Sequence, residues 1–297
     1  MNLSMTSELA DAYKSGSQRA KNVTEAWGAD NFYCPNCSSP KLDWLKPNTK
    51  ANDYRCPNCG FWYQLKSQKT RIGNQINDGA YRAMMEAIQN DEAPSFYFMQ
   101  YDLATWHVRN LLLVPHFAFP PSAIIKRKPL SPSARRAGWI GCNFALNRIP
   151  VDARIAVVTE GRVTPENEVR EKFRRVKPLK EISVKERGWT LDVLNIVRRI
   201  CEVGTPRRGV RGRLGCVKRR ERHAASQPSL PNQRASRRDA PTTENEFTND
   251  DVYAFARELE KLHPDNRHVK DKIRQQLQVL RDTGFLIHIG RSEWRLP

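Results

Sequence analysis

The chain has 297 residues, 50 Lys+Arg against 32 Asp+Glu, a formal net charge of +18 and a hydrophobic content of 39%. That length suggests about two domains, and the apolar content excludes wholesale disorder. No apolar run approaches the roughly 18 residues of a membrane span, the polar N-terminus lacks the apolar core of a secretory signal, and the cationic surplus points to a polyanion, nucleic acid first.

The opening segment reads as a helix ending near Trp27. A cysteine-rich stretch with aromatic residues follows, over 31–66. Four of the seven cysteines form two Cys-Pro-Asn-Cys pairs, Cys34/Cys37 and Cys56/Cys59, separated by 18 residues. This is the spacing of a tetrahedral structural Zn2+ site, not of a disulfide framework, and it belongs to a reducing compartment such as the cytoplasm. Two residues between thiolates let one tight turn aim both sulfurs at one ion, and Gly60 suits the turn that follows. Cys142, Cys201 and Cys216 have no partner at useful spacing and read as ordinary core or linker thiols.

Asp53 lies just before the second cysteine pair, and Gln64 and Lys66 just after it. In a strand, residues i and i+2 share a face, so Gln64 and Lys66 project together. The zinc turn folds the chain back and brings Asp53 toward them. A carboxylate, an amide oxygen and an ammonium around one point resemble the D…(D/E)xK site of restriction-type nucleases. In that chemistry Asp53, Gln64 and the backbone carbonyl of Leu65 hold Mg2+, and Lys66 stabilises developing charge or orients water. On spacing alone, Gln64 and Lys66 on a solvated strand face is the stronger reading.

Asn77-Asp78 is expected to cap a helix bearing Ala80, Met84 and Ile88. Ser95–Tyr101 and Trp106–Val114 read as adjacent strands, and Ile155–Thr159 as another that ends in the Glu160-Gly161 turn. Between them, residues 126–143 combine five cations, Arg135 and Arg136 among them, with Pro, Gly and Trp139. The cations suit phosphate contacts and the indole suits a base, or the loop is structural and its Trp half-buried. Leu191–Ile200 is an amphipathic helix.

Residues 203–245 hold eleven basic and three acidic side chains, a surplus of eight out of +18. The stretch has few large apolar residues and reads as a basic disordered linker or insertion. It divides a unit at 1–202 from one at 246–297. In the latter, Thr248 with Asp251 opens a helix carrying Val252, Phe255 and Leu259, which ends at His263-Pro264. A second helix covers Val269–Asp282, stops at Gly284 and leads into a hairpin, Phe285–Ile289 with Ser292–Leu296. A helix followed by a small hairpin outlines a winged helix. Lys270, Arg274, Gln275, Gln278 and Arg281 are its candidate DNA-binding residues, since Arg and Gln read guanine and adenine edges. The fold class overall is mixed α/β (α+β).

CPNC…CPNC, YQLKSQKT…INDGAY, RKPLSPSARRAGWIGCN, RGWTLDVLN and IRQQLQVLRD resemble the DpnI-like methylation-dependent restriction endonucleases over almost the whole chain. The basic stretch is skipped. The resemblance implies a PD-(D/E)xK-type catalytic domain with structural Zn2+ and catalytic Mg2+, plus a C-terminal winged helix. It implies cleavage of double-stranded DNA at GATC carrying N6-methyladenine, in a bacterial cytoplasm, with no membrane and no obligate protein partner. Asp53, Gln64 and Lys66 fall on the catalytic trio, the four cysteines on the zinc site, and Trp139 on the aromatic residue that meets the adenine methyl groups. Gln64 departs from the acidic residue of the family, which weakens the hold on a hard cation. The alternative is a non-catalytic zinc and winged-helix reader of methylated DNA.

Overall fold

The computed structural model describes residues 1–45, 52–203 and 245–297. The basic stretch, apart from its two ends, lies outside the described residues, as does Cys216. The described elements mix helices and strands, as the sequence pattern predicts.

A seven-stranded sheet forms the centre. In spatial order its strands are β1 (Asp43–Trp44), β2 (Tyr54–Arg55), β3 (Trp62–Gln68), β5 (Ser95–Asp102), β6 (His107–Val114), β9 (Ile155–Thr159) and β10 (Arg162–Val163). The pair β3 and β5 is parallel and the other neighbours are antiparallel. The aromatic run of β5 is buried on both faces, which is why it takes a central place. The turn after β9 puts Glu160 and Gly161 at positive φ, as expected.

One face is covered by α1 (Gly16–Asn31), where Phe32 stacks on Tyr97 at 4.1 Å and Thr24 Oγ1 donates to Ser67 Oγ at 3.0 Å. The helix starts and ends later than the sequence pattern suggests. Gly28 is obligatory here, because a Cβ would stand 2.4 Å from the Tyr54 hydroxyl. That hydroxyl donates to the Glu25 carbonyl at 2.7 Å, so strand and helix meet at one point.

The opposite face receives a three-stranded sheet of β4 (Gln75–Ala80), β8 (Gly141–Ala145) and β7 (Ile124–Lys126), with β8 in the middle. Phe144 of β8 packs on Phe96 and Phe98 of β5, with ring centroids 4.7 and 5.4 Å away. The helix α2 (Tyr81–Gln89) follows β4 directly. Its N-cap is Ala80, and no side chain caps it. Asn77 and Asp78 therefore do not serve as caps; they belong to β4, and Asp78 has a different partner.

Two further helices close this region. The helix α3 (Glu166–Val176) lies on the cysteine cluster, with Arg170 donating to the Cys34 carbonyl at 3.2 Å and Phe173 against Phe117. The helix α4 (Val184–Val203) is longer than the predicted Leu191–Ile200. At its start Arg187 pairs with Asp91 at 2.5 Å.

The C-terminal elements are β11 (Glu246–Thr248), α5 (Asn249–Tyr253), α6 (Ala256–Leu262), α7 (Val269–Asp282), β12 (Ile287–Gly290) and β13 (Glu293–Arg295). The strands form a small sheet with β13 in the centre. Thr248 and Asp251 make the reciprocal capping box expected of them. The single helix expected after it is two, broken at Ala254-Phe255. Gly284 takes φ +82° and ends α7. Val269, Ile273, Leu277 and Leu280 form the buried stripe of α7. Against it lies α4, where Thr190 Oγ1 donates to Gln276 Oε1 at 2.5 Å. Asp192 of the same helix bonds Ser122 at 2.6 Å on one side and His263 at 2.8 Å on the other. One helix thus ties the small unit to the large one.

Candidate functional site

The four thiols of Cys34, Cys37, Cys56 and Cys59 converge, with all Sγ atoms within 4.8 Å of one another. The Cys34–Cys59 and Cys37–Cys56 separations are 3.6 and 3.5 Å. A tetrahedral ion with Zn–S bonds of about 2.3 Å sets its sulfurs roughly 3.8 Å apart, so the cluster fits Zn2+. Gly60 sits at φ +74°, where the turn needs a glycine. Burial raises the Cys56 thiol, but the N–H groups of Cys59 and Asn58 outweigh it and pull it down to about 7. Burial holds the Cys34 thiol well above its ordinary range. A metal bound here must displace that proton.

The zinc turn joins the two halves of the other site. Asp53 precedes β2, and Gln64 and Lys66 lie on β3, which pairs antiparallel with β2. Because β2 begins only at Tyr54 and runs antiparallel to β3, the C-terminal half of β3 is an open edge on that side. Asp53, Gln64, Leu65 and Lys66 line one cleft of about 440 Å³ there, with α1 on one flank and Ile76-Asn77 of β4 on the other. The structure therefore brings the predicted trio together. The Leu65 N–H donates to Asp53 Oδ2 at 2.8 Å. Burial raises the Asp53 carboxyl above its ordinary range, and the Leu65 N–H and Lys66 pull the other way. A larger cleft of about 1050 Å³ lies between α4 and the α6–α7 turn, away from the cysteine cluster and from β3. Its His263 is stacked on Trp189 and spent on Asp192.

Two carboxylates of this neighbourhood are not read from the strand pattern. Asp78 forms an ion pair with Lys66 Nζ, and its side chain is 3% exposed. Glu25, a turn beyond Lys21 on α1, lines the cleft and pairs with Lys21 at 3.7 Å. Burial, followed by the repulsion of Asp53, raises the Glu25 carboxyl from the ordinary 4.5 to about 7. Folded Glu25 thus holds its proton longer than unfolded Glu25, so stability falls as pH climbs from about 4.5 through about 7. Without divalent metal, Glu25→Gln should match the parent in a thermal melt at pH 4. At pH 8 it should exceed the parent, by on the order of 2 kcal/mol. A lower melting temperature at pH 8 contradicts this.

The candidate DNA-facing residues fall on two surfaces. Arg135 and Arg136 are exposed in the loop between β7 and β8, and the Arg136 guanidinium lies over the half-buried Trp139 ring at 4.8 Å. Gly138 takes φ +77°, and a Cβ on Gly141 would clash with that ring at 2.8 Å. The two glycines thereby fix where the indole sits. On α7, Lys270, Arg274, Gln275, Gln278 and Arg281 are all exposed. Gln276, one residue from Gln275, is buried against Thr190 and is not available to DNA. Cys142 and Cys201 are free thiols outside the cluster. No helix among the described residues is long and apolar enough to cross a membrane.

Comparison with known families adds two matches. The model of the DpnI, Dam-replacing family covers residues 1–182, and that of the Dam-replacing HTH domain covers residues 241–295. Neither reaches α4.

Proposed function

Because the chain belongs to the DpnI, Dam-replacing family, we propose that it is a restriction endonuclease of the PD-(D/E)xK type. It cuts both strands of duplex DNA at GATC carrying N6-methyladenine, by Mg2+-dependent hydrolysis. Its setting is the bacterial cytoplasm, and its target is DNA methylated in a foreign host. The observation that carries this reading is the single cleft holding Asp53, Gln64, Leu65 and Lys66 at the open edge of β3.

The donors available are all oxygens, which suits a hard cation: the Asp53 carboxylate, the Gln64 amide and the Leu65 carbonyl. Bound Mg2+ would supply Lewis acidity toward the scissile phosphate and acidify the attacking water. Asp53 has one oxygen held by the Leu65 N–H, which fixes the carboxylate and leaves the second oxygen for the ion. Lys66 places a positive charge where charge develops on the phosphorane oxygens. Gln64 brings no charge, and Glu25 is the further carboxylate on the cleft wall.

The Arg135–Trp139 loop and the exposed face of α7 are the two surfaces that would read the modified site. One methyl contact is worth only about 0.8 kcal/mol, or roughly fourfold. Strong discrimination therefore needs both methyl groups of the palindrome and both surfaces. Trp139→Ala should lower the preference for methylated over unmethylated duplex by about 4- to 20-fold in a binding titration. An unchanged preference removes Trp139 from methyl reading.

The function is tested with adenine-methylated and unmethylated plasmid, each with Mg2+ and with EDTA. Fragments that need both methylation and Mg2+ support the nuclease. Intact plasmid with tight retention of methylated duplex supports the second reading, a non-catalytic reader, which Gln64 in the acidic position favours.

A further inference from the structure

The Asn77-Asp78-Gly79 segment of β4 has no part in capping α2, yet it buries a carboxylate. A carboxylate with 3% side-chain exposure is costly unless a cation meets it, and the cation that does is Lys66. The local backbone explains how. Pairing of β4 with β8 shifts register between Asn77 and Ala80, so Asp78 and Gly79 drop out of the ladder. The bulge turns Asp78 across to β3. The Cys142 thiol closes the other side, 3.5 Å from the Gly79 carbonyl and 3.9 Å from Asp78 Oδ2.

The same strand pair carries the basic loop. Trp139 lies three residues before Cys142, and between them Ile140 accepts a hydrogen bond from the Tyr81 N–H at 3.1 Å. A shift of Trp139 toward a bound base is therefore felt at Gly141 and Cys142, against which Asp78 rests.

We infer that Asp78 is a positioning residue. It fixes the Lys66 ammonium in the cleft, and it does so from the strand pair that carries the Trp139 loop, so that base reading and lysine placement share one support. The inference rests on the nuclease reading above. Its magnitude follows from geometry, since a misplacement of about 1 Å in a reacting group costs on the order of 100-fold in rate.

The test is single-turnover cleavage of methylated duplex at saturating full-length protein, beside equilibrium binding of the same duplex in Ca2+. Asp78→Asn should cut about 10- to 100-fold more slowly, with affinity within about threefold of the parent. Asp78→Glu, which keeps the charge one methylene away, should recover part of the rate. Three further comparisons separate positioning from a merely structural role. In a Lys66→Ala background, Asp78→Asn should cost nothing more, because it acts only through the lysine. Trp139→Ala should slow the parent at saturation but not the Asp78→Asn protein. Zinc content should be unchanged throughout.

Asp78→Asn cutting at the parent rate overturns the inference, and so do additive losses in either double variant. If Asp78→Asn does not fold, Asp78→Glu decides: a slower rate at retained affinity supports the inference, and the parent rate overturns it. A parent protein that binds methylated duplex and never cuts it overturns the nuclease reading, and this inference with it.

Discussion

Stripping the cysteine cluster of metal is expected to abolish cleavage, and Mg2+ alone will not restore it. Structural Zn2+ contributes an apparent 10–16 kcal/mol in small zinc modules, about as much as the whole stability of a typical domain. The hairpin concerned is short: its first strand, β2, has two residues, which pair with Trp62 and Tyr63 of β3. It cannot hold itself together by pairing alone. Asp53 stands on one side of the cysteine turn and Gln64 on the other, so loss of the ion is expected to separate the two proposed Mg2+ ligands. The helix α3 goes with it, because Arg170 is bonded to the Cys34 and Ser39 carbonyls. The measurement is cleavage after treatment with a strong chelator and back-addition of each metal separately. Activity should return only with Zn2+ followed by Mg2+. Cys34→Ser should show the same loss, with a fall in melting temperature and a zinc content near zero. Full activity with Mg2+ alone would show that the cluster has no structural duty. The loss should come more easily in acid. The Cys56 thiol, near 7, and the higher Cys34 thiol both take up protons in competition with the ion as pH falls.

Lys66→Ala is expected to lower the single-turnover rate by about 100- to 1000-fold and to leave affinity for methylated duplex nearly intact. The ammonium lines the cleft and is paired to Asp78, so its removal takes a fixed charge from the proposed reacting centre. It also leaves Asp78 buried without a partner, at a cost in stability of about 3 kcal/mol. The rate is therefore measured below the onset of unfolding. In the opposite direction, Gln64→Glu should raise the rate or leave it unchanged, because it adds a charged ligand for the cation. A sharp loss in Gln64→Glu would assign the amide a role that a carboxylate cannot fill. A Lys66→Ala protein that cuts at the parent rate would move the site elsewhere.

Much of this was legible in the residue order. Cysteine spacing is a local code, and it predicted the cluster. The 3.6-residue repeat of α7 is so regular that its limits, Val269–Asp282, coincide with those expected. The period of two on β3 placed Gln64 and Lys66 side by side. The failures share a cause, which is contact at a distance along the chain. Asn77-Asp78 before a helical pattern looks like a cap, and nothing nearby reveals that Asp78 belongs to Lys66, twelve residues upstream across a bulge. Glu25 looks like a solvated helix position with Lys21 as its i+4 partner. Only the packing of α1 on Tyr54 turns it into the cleft. Gln276 reads as one more exposed polar group of α7 until Thr190 meets it. The break at Ala254-Phe255 interrupts a pattern whose apolar spacing runs straight through it.

The placement of α4 has a consequence for how such chains tolerate change. The basic 204–244 stretch leaves the chain at the end of α4 and rejoins it at β11, and α4 is itself seated on α7. Its two ends are therefore anchored to the same body. Residues can be added or deleted there without altering the span between the cleft on β3 and the outer face of α7. The distance between the cleft on β3 and the outer face of α7 is therefore set by how α4 packs on α7, not by the number of residues between α4 and β11.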